Sequence, residues 1–86
     1  MNSTTQIEKS NIEKAVEIIG GQSKVANLLT NSIKRVKQNN VHYWVNKHKQ
    51  APAKYILKIA ELTKGEITAE QLLADHEKNA QKERNQ

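Results

Sequence analysis

The sequence predicts an all-α fold of five short helices, and three observations predict it. Strand-type alternation is sustained nowhere, apolar residues recur at i, i+3 and i+4, and glycines or a lone proline fall where that periodicity stops. Eighty-six residues make one small domain, because a chain of this length has no room for two separate apolar cores.

The elements follow in order. Ser10 with Glu13 three residues on predicts a capping box, and Ile12, Val16 and Ile19 line one side of helix one until Gly20-Gly21 interrupts. Helix two starts at Gln22 or Ser23 and is expected to bury Val25, Ala26, Leu28 and Leu29. From Thr30 to Asn40 the chain is polar and basic, with only Ile33 and Val36 to pack, which reads as an extended connection. Val41, Trp44 and Val45 then share the inner side of a third helix, leaving Gln38, Asn39, His42, Tyr43 and Asn46 on the others.

Lys47 to Gln50 reads as a loop, and Pro52 suits a first helical position because its missing N–H costs nothing there. Helix four is expected to reach Thr63, burying Ile56, Ile59, Ala60 and Leu62, with Gly65 placed to end it. Thr68 and Gln71 predict a second capping box that opens helix five, whose Leu72 and Leu73 are expected inside. Past Asp75 only one alanine offers packing, so the end reads as a fraying helix or a disordered tail. The expected organisation is a flexible N-terminus over residues 1–9, a folded domain over 10–76 and a polar tail over 77–86.

Charge is distributed unevenly. Between Glu17 and Glu61 stand eight basic residues and no acidic one, while the two flanks together hold six basic and nine acidic residues. Concentrating one sign of charge beside amide and aromatic side chains suits a polyanionic partner, with nucleic acid first. A solvated basic face is the alternative, and eight cations without an intervening acid weigh against it.

Other classes lose ground on composition. There is no cysteine, and His42, His48 and His76 lack the spacing of a metal site, so no metal and no cofactor are expected. No apolar run approaches the ~20 residues that cross a bilayer, and the first ten residues lack an apolar signal core, so a cytoplasmic protein with no membrane partner is expected. No nucleophile, base and orienting group can be assembled, so no enzyme is expected; His76 between Asp75 and Glu77 has neighbours that point in different directions along a helix.

Helices two and three have the internal logic of a helix-turn-helix. Ala26 is small where crossing helices approach, and Val41, Trp44 and Val45 give the next helix its apolar back, so its polar side is free for the major groove. Gln38 and Asn39 can donate and accept together, as adenine requires; Lys37 matches guanine; His42 and Tyr43 add contacts a turn further on. Lys24, Lys34, Arg35, Lys47 and Lys49 are assigned to phosphates. Gln22 and Ser23 either contact phosphate at a helix N-terminus or only cap it. Stacking of Tyr43 and Trp44 on single-stranded nucleic acid is the other use of such aromatics, but helical spacing turns Trp44 inward.

These residues resemble a family. The runs AVEIIGGQSKVANLL, VHYWVN and the proline-led segment from Ala51 to Leu73 are similar to Cro-like and YdaS-type helix-turn-helix proteins of phages and prophages, over roughly residues 12–75. The resemblance implies a compact five-helix domain of the lambda-repressor and Cro-like kind, acting as a repressor or an antitoxin-like regulator on operator DNA. It implies Gln22 as a phosphate contact, Lys37, Gln38, Asn39, His42 and Tyr43 as the base-reading face, and Ala26, Val41 and Trp44 as scaffold. Ala26 to Val41 spans fifteen positions, against about ten in the tight form of the motif, so the turn is longer than usual. Expected partners are double-stranded operator DNA, a second copy of the chain on that DNA, and a toxin or repressor protein; a protein-interaction module and a small RNA-binding domain are the competing readings.

Overall fold

The computed structural model describes residues 9–30 and 35–84, and for 82–84 the backbone alone. Among them the protein is all-helical, with five α-helices: α1 (Asn11–Ile19), α2 (Gln22–Leu29), α3 (Gln38–Tyr43), α4 (Ile56–Leu62) and α5 (Ala69–Arg84). A π turn, Trp44–His48, continues α3, and a short 3-10 turn, Ala53–Tyr55, leads into α4. The part of the expected turn formed by residues 31–34, with Ile33 and Lys34, lies outside the described residues.

Helix α1 begins as the sequence predicts, with Ser10 Oγ accepting from the Glu13 N–H at 3.3 Å. It ends at two glycines with φ of 128° and 112°, a left-handed region that only glycine enters cheaply, and both amides donate to the Val16 carbonyl at 3.0 and 2.9 Å. That double turn lets α2 start after only two intervening residues, the glycines themselves. The capping box of α5 is reciprocal: the Thr68 N–H donates to Gln71 Oε1 at 2.8 Å, and the Gln71 N–H to Thr68 Oγ1 at 3.2 Å.

One core joins all five helices. Ile12, Val25, Val41, Ile59 and Leu72, one from each, are among its fully enclosed side chains. Trp44 packs on Tyr55 with ring centroids 5.5 Å apart, which ties the π turn after α3 to the start of α4.

Four expectations are corrected. Leu28 and Leu73 face outward, 43% and 49% exposed, because each is adjacent in sequence to a buried leucine and lies about 100° from it around the helix. Lys47 and His48 belong to the π turn rather than a loop, and Pro52, at ψ 139°, is extended and precedes the 3-10 turn. Helix α5 continues past Asp75 as far as Arg84, so residues 77–84 are helical.

That continuation has a physical cause. Asp75, only 5% exposed, accepts from the Asn11 N–H at 3.0 Å and the Ile12 N–H at 2.9 Å, satisfying two amides that the first turn of α1 cannot pair internally. Asn11 Nδ2 returns a bond to the Gln71 carbonyl at 2.7 Å. Polar contacts thus carry the inner face of α5 onward where its apolar residues run out.

Candidate nucleic-acid interface

Helix α3 is held from three directions. At its start the Lys37 N–H donates to Asn40 Oδ1 at 2.9 Å, and at its back Val41, Trp44 and Val45 are buried, as their spacing predicts. The preceding connection is closed at its base by Thr30, whose hydroxyl accepts from the Val36 N–H at 2.9 Å and stands 2.9 and 3.0 Å from the Ala26 and Val36 carbonyls. Val36, 5% exposed, is pulled into the core by that closure.

Everything on the other side of the helix is polar and exposed: Gln38, Asn39, His42, Tyr43 and Asn46. Gln38 Nε2 donates to Gln22 Oε1 at 3.4 Å, so the first turns of α2 and α3 stand side by side. Asn46 Nδ2 donates to the His42 carbonyl and lies 3.1 Å from His42 Nδ1. His42 meets Tyr43 edge-on at 6.0 Å, and Lys47 Nζ sits 5.8 Å from the Tyr43 ring centroid. The result is one continuous strip of donors and acceptors along the helix.

Of the sequence-derived site, the structure gathers Gln22, Ser23, Lys37, Gln38, Asn39, His42, Tyr43 and Lys47 around this strip or at its two ends, while Lys34 lies outside the described residues. The N-cap of α2 is Gly21, and Gln22 and Ser23 are its first two helical residues. Ser23, Asn27, Thr30, Arg35, Lys37 and Gln38 border a cleft of about 590 Å³ between α2 and the start of α3. Lys49 ends the π turn in the left-handed region, φ 56°, and is exposed.

The electrostatics agree with the charge distribution of the chain. Lys24, Arg35, Lys37, Lys47 and Lys49 form no ion pair with a described carboxylate, whereas Lys9 pairs with Glu17 at 2.8 Å and Lys58 with Glu61 at 3.4 Å. The hydrogen bond that Lys9 donates to the Glu17 carboxylate, and then the charge of that carboxylate, raise the Lys9 pKa above the ordinary value, but both side chains are largely in solvent and the pair adds little stability. Among the described residues the paired cations stand at the borders of the acid-free stretch, Lys9 before it and Lys58 near its end, and cations without a carboxylate partner surround α3.

The signal that sequence reading missed is the anchoring of the helix's far end. Asn79 Nδ2 lies 3.0, 3.3 and 2.8 Å from the His48 carbonyl, the Lys49 carbonyl and Gln50 Oε1, and His76 Nε2 lies 2.6 Å from the Ala51 carbonyl. The i, i+3, i+4, i+7 recurrence of Leu72, Asp75, His76 and Asn79 was available to find it, but only to a reader who follows a helix face through polar residues.

The fold and this strip define a small all-helical domain of helix-turn-helix type. The chain belongs to the family described as bacterial toxin YdaS, whose model matches residues 12–81. The match bears on the YdaS-type half of the resemblance and leaves the Cro-like half as a proposal. Neither a curated protein nor a solved structure matches the chain. No described helix is long and apolar enough to cross a membrane.

Proposed function

We propose that this protein is a sequence-specific double-stranded DNA-binding regulator of Cro-like repressor type, acting in the cytoplasm by binding rather than by catalysis. The observation that carries the reading is the exposed strip Gln38, Asn39, His42, Tyr43 and Asn46 on a helix whose opposite side is fixed in the core, amid cations that pair with no carboxylate among the described residues. The major groove admits one α-helix and presents a distinct donor and acceptor pattern for each base pair, so amides that do both jobs are the matching reagents. Lys24, Arg35, Lys37, Lys47 and Lys49 then neutralise phosphates around it, with Lys37 shared between phosphate and guanine.

One short helix reads few base pairs, so useful selectivity needs two copies on paired half-sites. Exposed Leu57 and Leu73, 77% and 49% accessible, are the apolar surface available to such a dimer.

The test is a duplex titration at several salt concentrations with two variants. Log affinity falls linearly with log salt at a slope that counts phosphate contacts. Gln38→Ala relaxes discrimination at one or two base pairs by ~1–3 kcal/mol, whereas Lys47→Ala weakens all duplexes alike and lowers the slope by about one. Identical behaviour of both variants on every sequence rejects the reading helix.

The family description, bacterial toxin, favours a second reading in which the main partner is a protein of a toxin and antitoxin pair, with DNA secondary. A wild-type affinity for duplex that is weak and insensitive to salt supports that reading instead.

A further inference from the structure

We infer that Asn79, backed by His76, is a positioning residue that sets the aim of the α3 face from the far end of the chain. The contact is chemically one-directional. The His48 and Lys49 carbonyls can only accept, so the side-chain atom facing both at 3.0 and 3.3 Å must be the NH2 of Asn79, its two hydrogens shared among these and Gln50 Oε1 at 2.8 Å. His76 likewise presents a protonated Nε2 to the Ala51 carbonyl at 2.6 Å.

Those acceptors are the ones a helix end leaves open. His48 closes the π turn and Lys49 leaves it in a left-handed conformation, so their carbonyls have no continuing turn to donate to them. Backbone bonds from the Lys49 and Gln50 N–H groups to the Trp44 carbonyl close the turn, but they leave its last carbonyls without donors. Asn79 supplies the missing donor from α5, a helix otherwise fixed to α1 through Asp75. The start of α3 is held by Asn40 and Thr30, its middle by Trp44, and its end by Asn79. Removing the last of these lets Asn46, Lys47 and Lys49 swing relative to Gln38 and Asn39 without unfolding the core.

The role rests on the proposed reading of α3, so its test has one arm free of DNA. In the full chain, Asn79→Ala and the isosteric Asn79→Asp, which has no donor, are compared with Gln81→Ala, an exposed residue two positions along on another side of the helix. Amide hydrogen exchange in the free protein is expected to rise about tenfold at Lys47 to Ala51 in both Asn79 variants and nowhere else, the size of one lost side-chain hydrogen bond. Unchanged exchange there overturns the inference whether or not the protein binds DNA.

In the second arm, which uses Asn79→Ala because aspartate would add a charge, the ratio of affinities for a selected duplex and a scrambled one is expected to fall about tenfold while the salt slope holds, since alanine alters aim and not charge count. An equal loss on both duplexes with the ratio preserved overturns the positioning role. Wild-type protein that binds no duplex sinks the DNA reading alone, and the exchange arm still decides what Asn79 does to the helix end.

Discussion

Two threonines, Thr30 and Thr63, perform the same operation in opposite surroundings. Each stands just past a helix C-terminus, each hydroxyl lies within 3.0 Å of a carbonyl four or three residues back, and each accepts an amide N–H from further along the chain. Thr63 closes four residues, to Ile67, and is 1% exposed; Thr30 closes six, to Val36, and is exposed. A hydroxyl in the dry interior has no substitute, because a buried amide left alone loses its water as well as its partner, whereas water can replace an exposed one. The comparison separates a closure enclosed in the core, between α4 and α5, from one made by an exposed threonine at the end of α2. The candidate interface is built on the second.

That contrast can be broken or sharpened in three steps. The largest effect belongs to Trp44, the apolar link between the two regions. Trp44→Ala costs ~3–5 kcal/mol of unfolding free energy, read from denaturant midpoints, and a loss under 1 kcal/mol would mean that α3 is not supported from behind. Next comes Thr63→Val, which keeps the shape and deletes the hydroxyl; it costs ~1–3 kcal/mol by strand-free thermal or chemical unfolding, because Ile67 N–H is orphaned in the core. Thr30→Val, the same change in the wet setting, costs about 0.5–1 kcal/mol and raises amide exchange at Val36 more than it shifts the midpoint. If the two valine variants lose the same stability, enclosure does not distinguish the regions.

The fold was largely legible in the sequence because most of its rules are local. Ser10, Gly20-Gly21, Thr68 and Gln71 act within a few residues, and their spacing alone specifies where helices begin and end. Val41, Trp44 and Val45 identify the inner side of α3 by periodicity, and their burial leaves the amides outside. Register was legible too: Asn39 is exposed and Trp44 is 8% accessible, as expected from the cost of burying an amide in place of an indole.

What was not legible depended on distance along the chain or on rotation around a helix. Leu28 and Leu73 looked internal because apolar residues in pairs satisfy a hydrophobicity count that a short helix face cannot accommodate. The course of α5 past Asp75 stayed open between a helical end and a tail because its stabilising partners lie 63 or 64 residues away at the start of α1 and about 30 away beside the π turn. An aspartate that serves another helix's first turn carries no mark of it in its own neighbourhood. The π turn has no compositional signature, and its only local trace is a lysine, Lys49, in a conformation that usually goes to glycine.

The π turn also has an evolutionary consequence. A turn of this kind is an α-helix into which one residue has been spliced without disturbing what precedes it. A single-codon deletion between Trp44 and His48 would leave Gln38 to Tyr43 in phase and rotate the following residues by about 100° about the axis, carrying Lys47 and Lys49 to another side. One codon therefore separates two settings of the downstream cations against an unaltered set of amides.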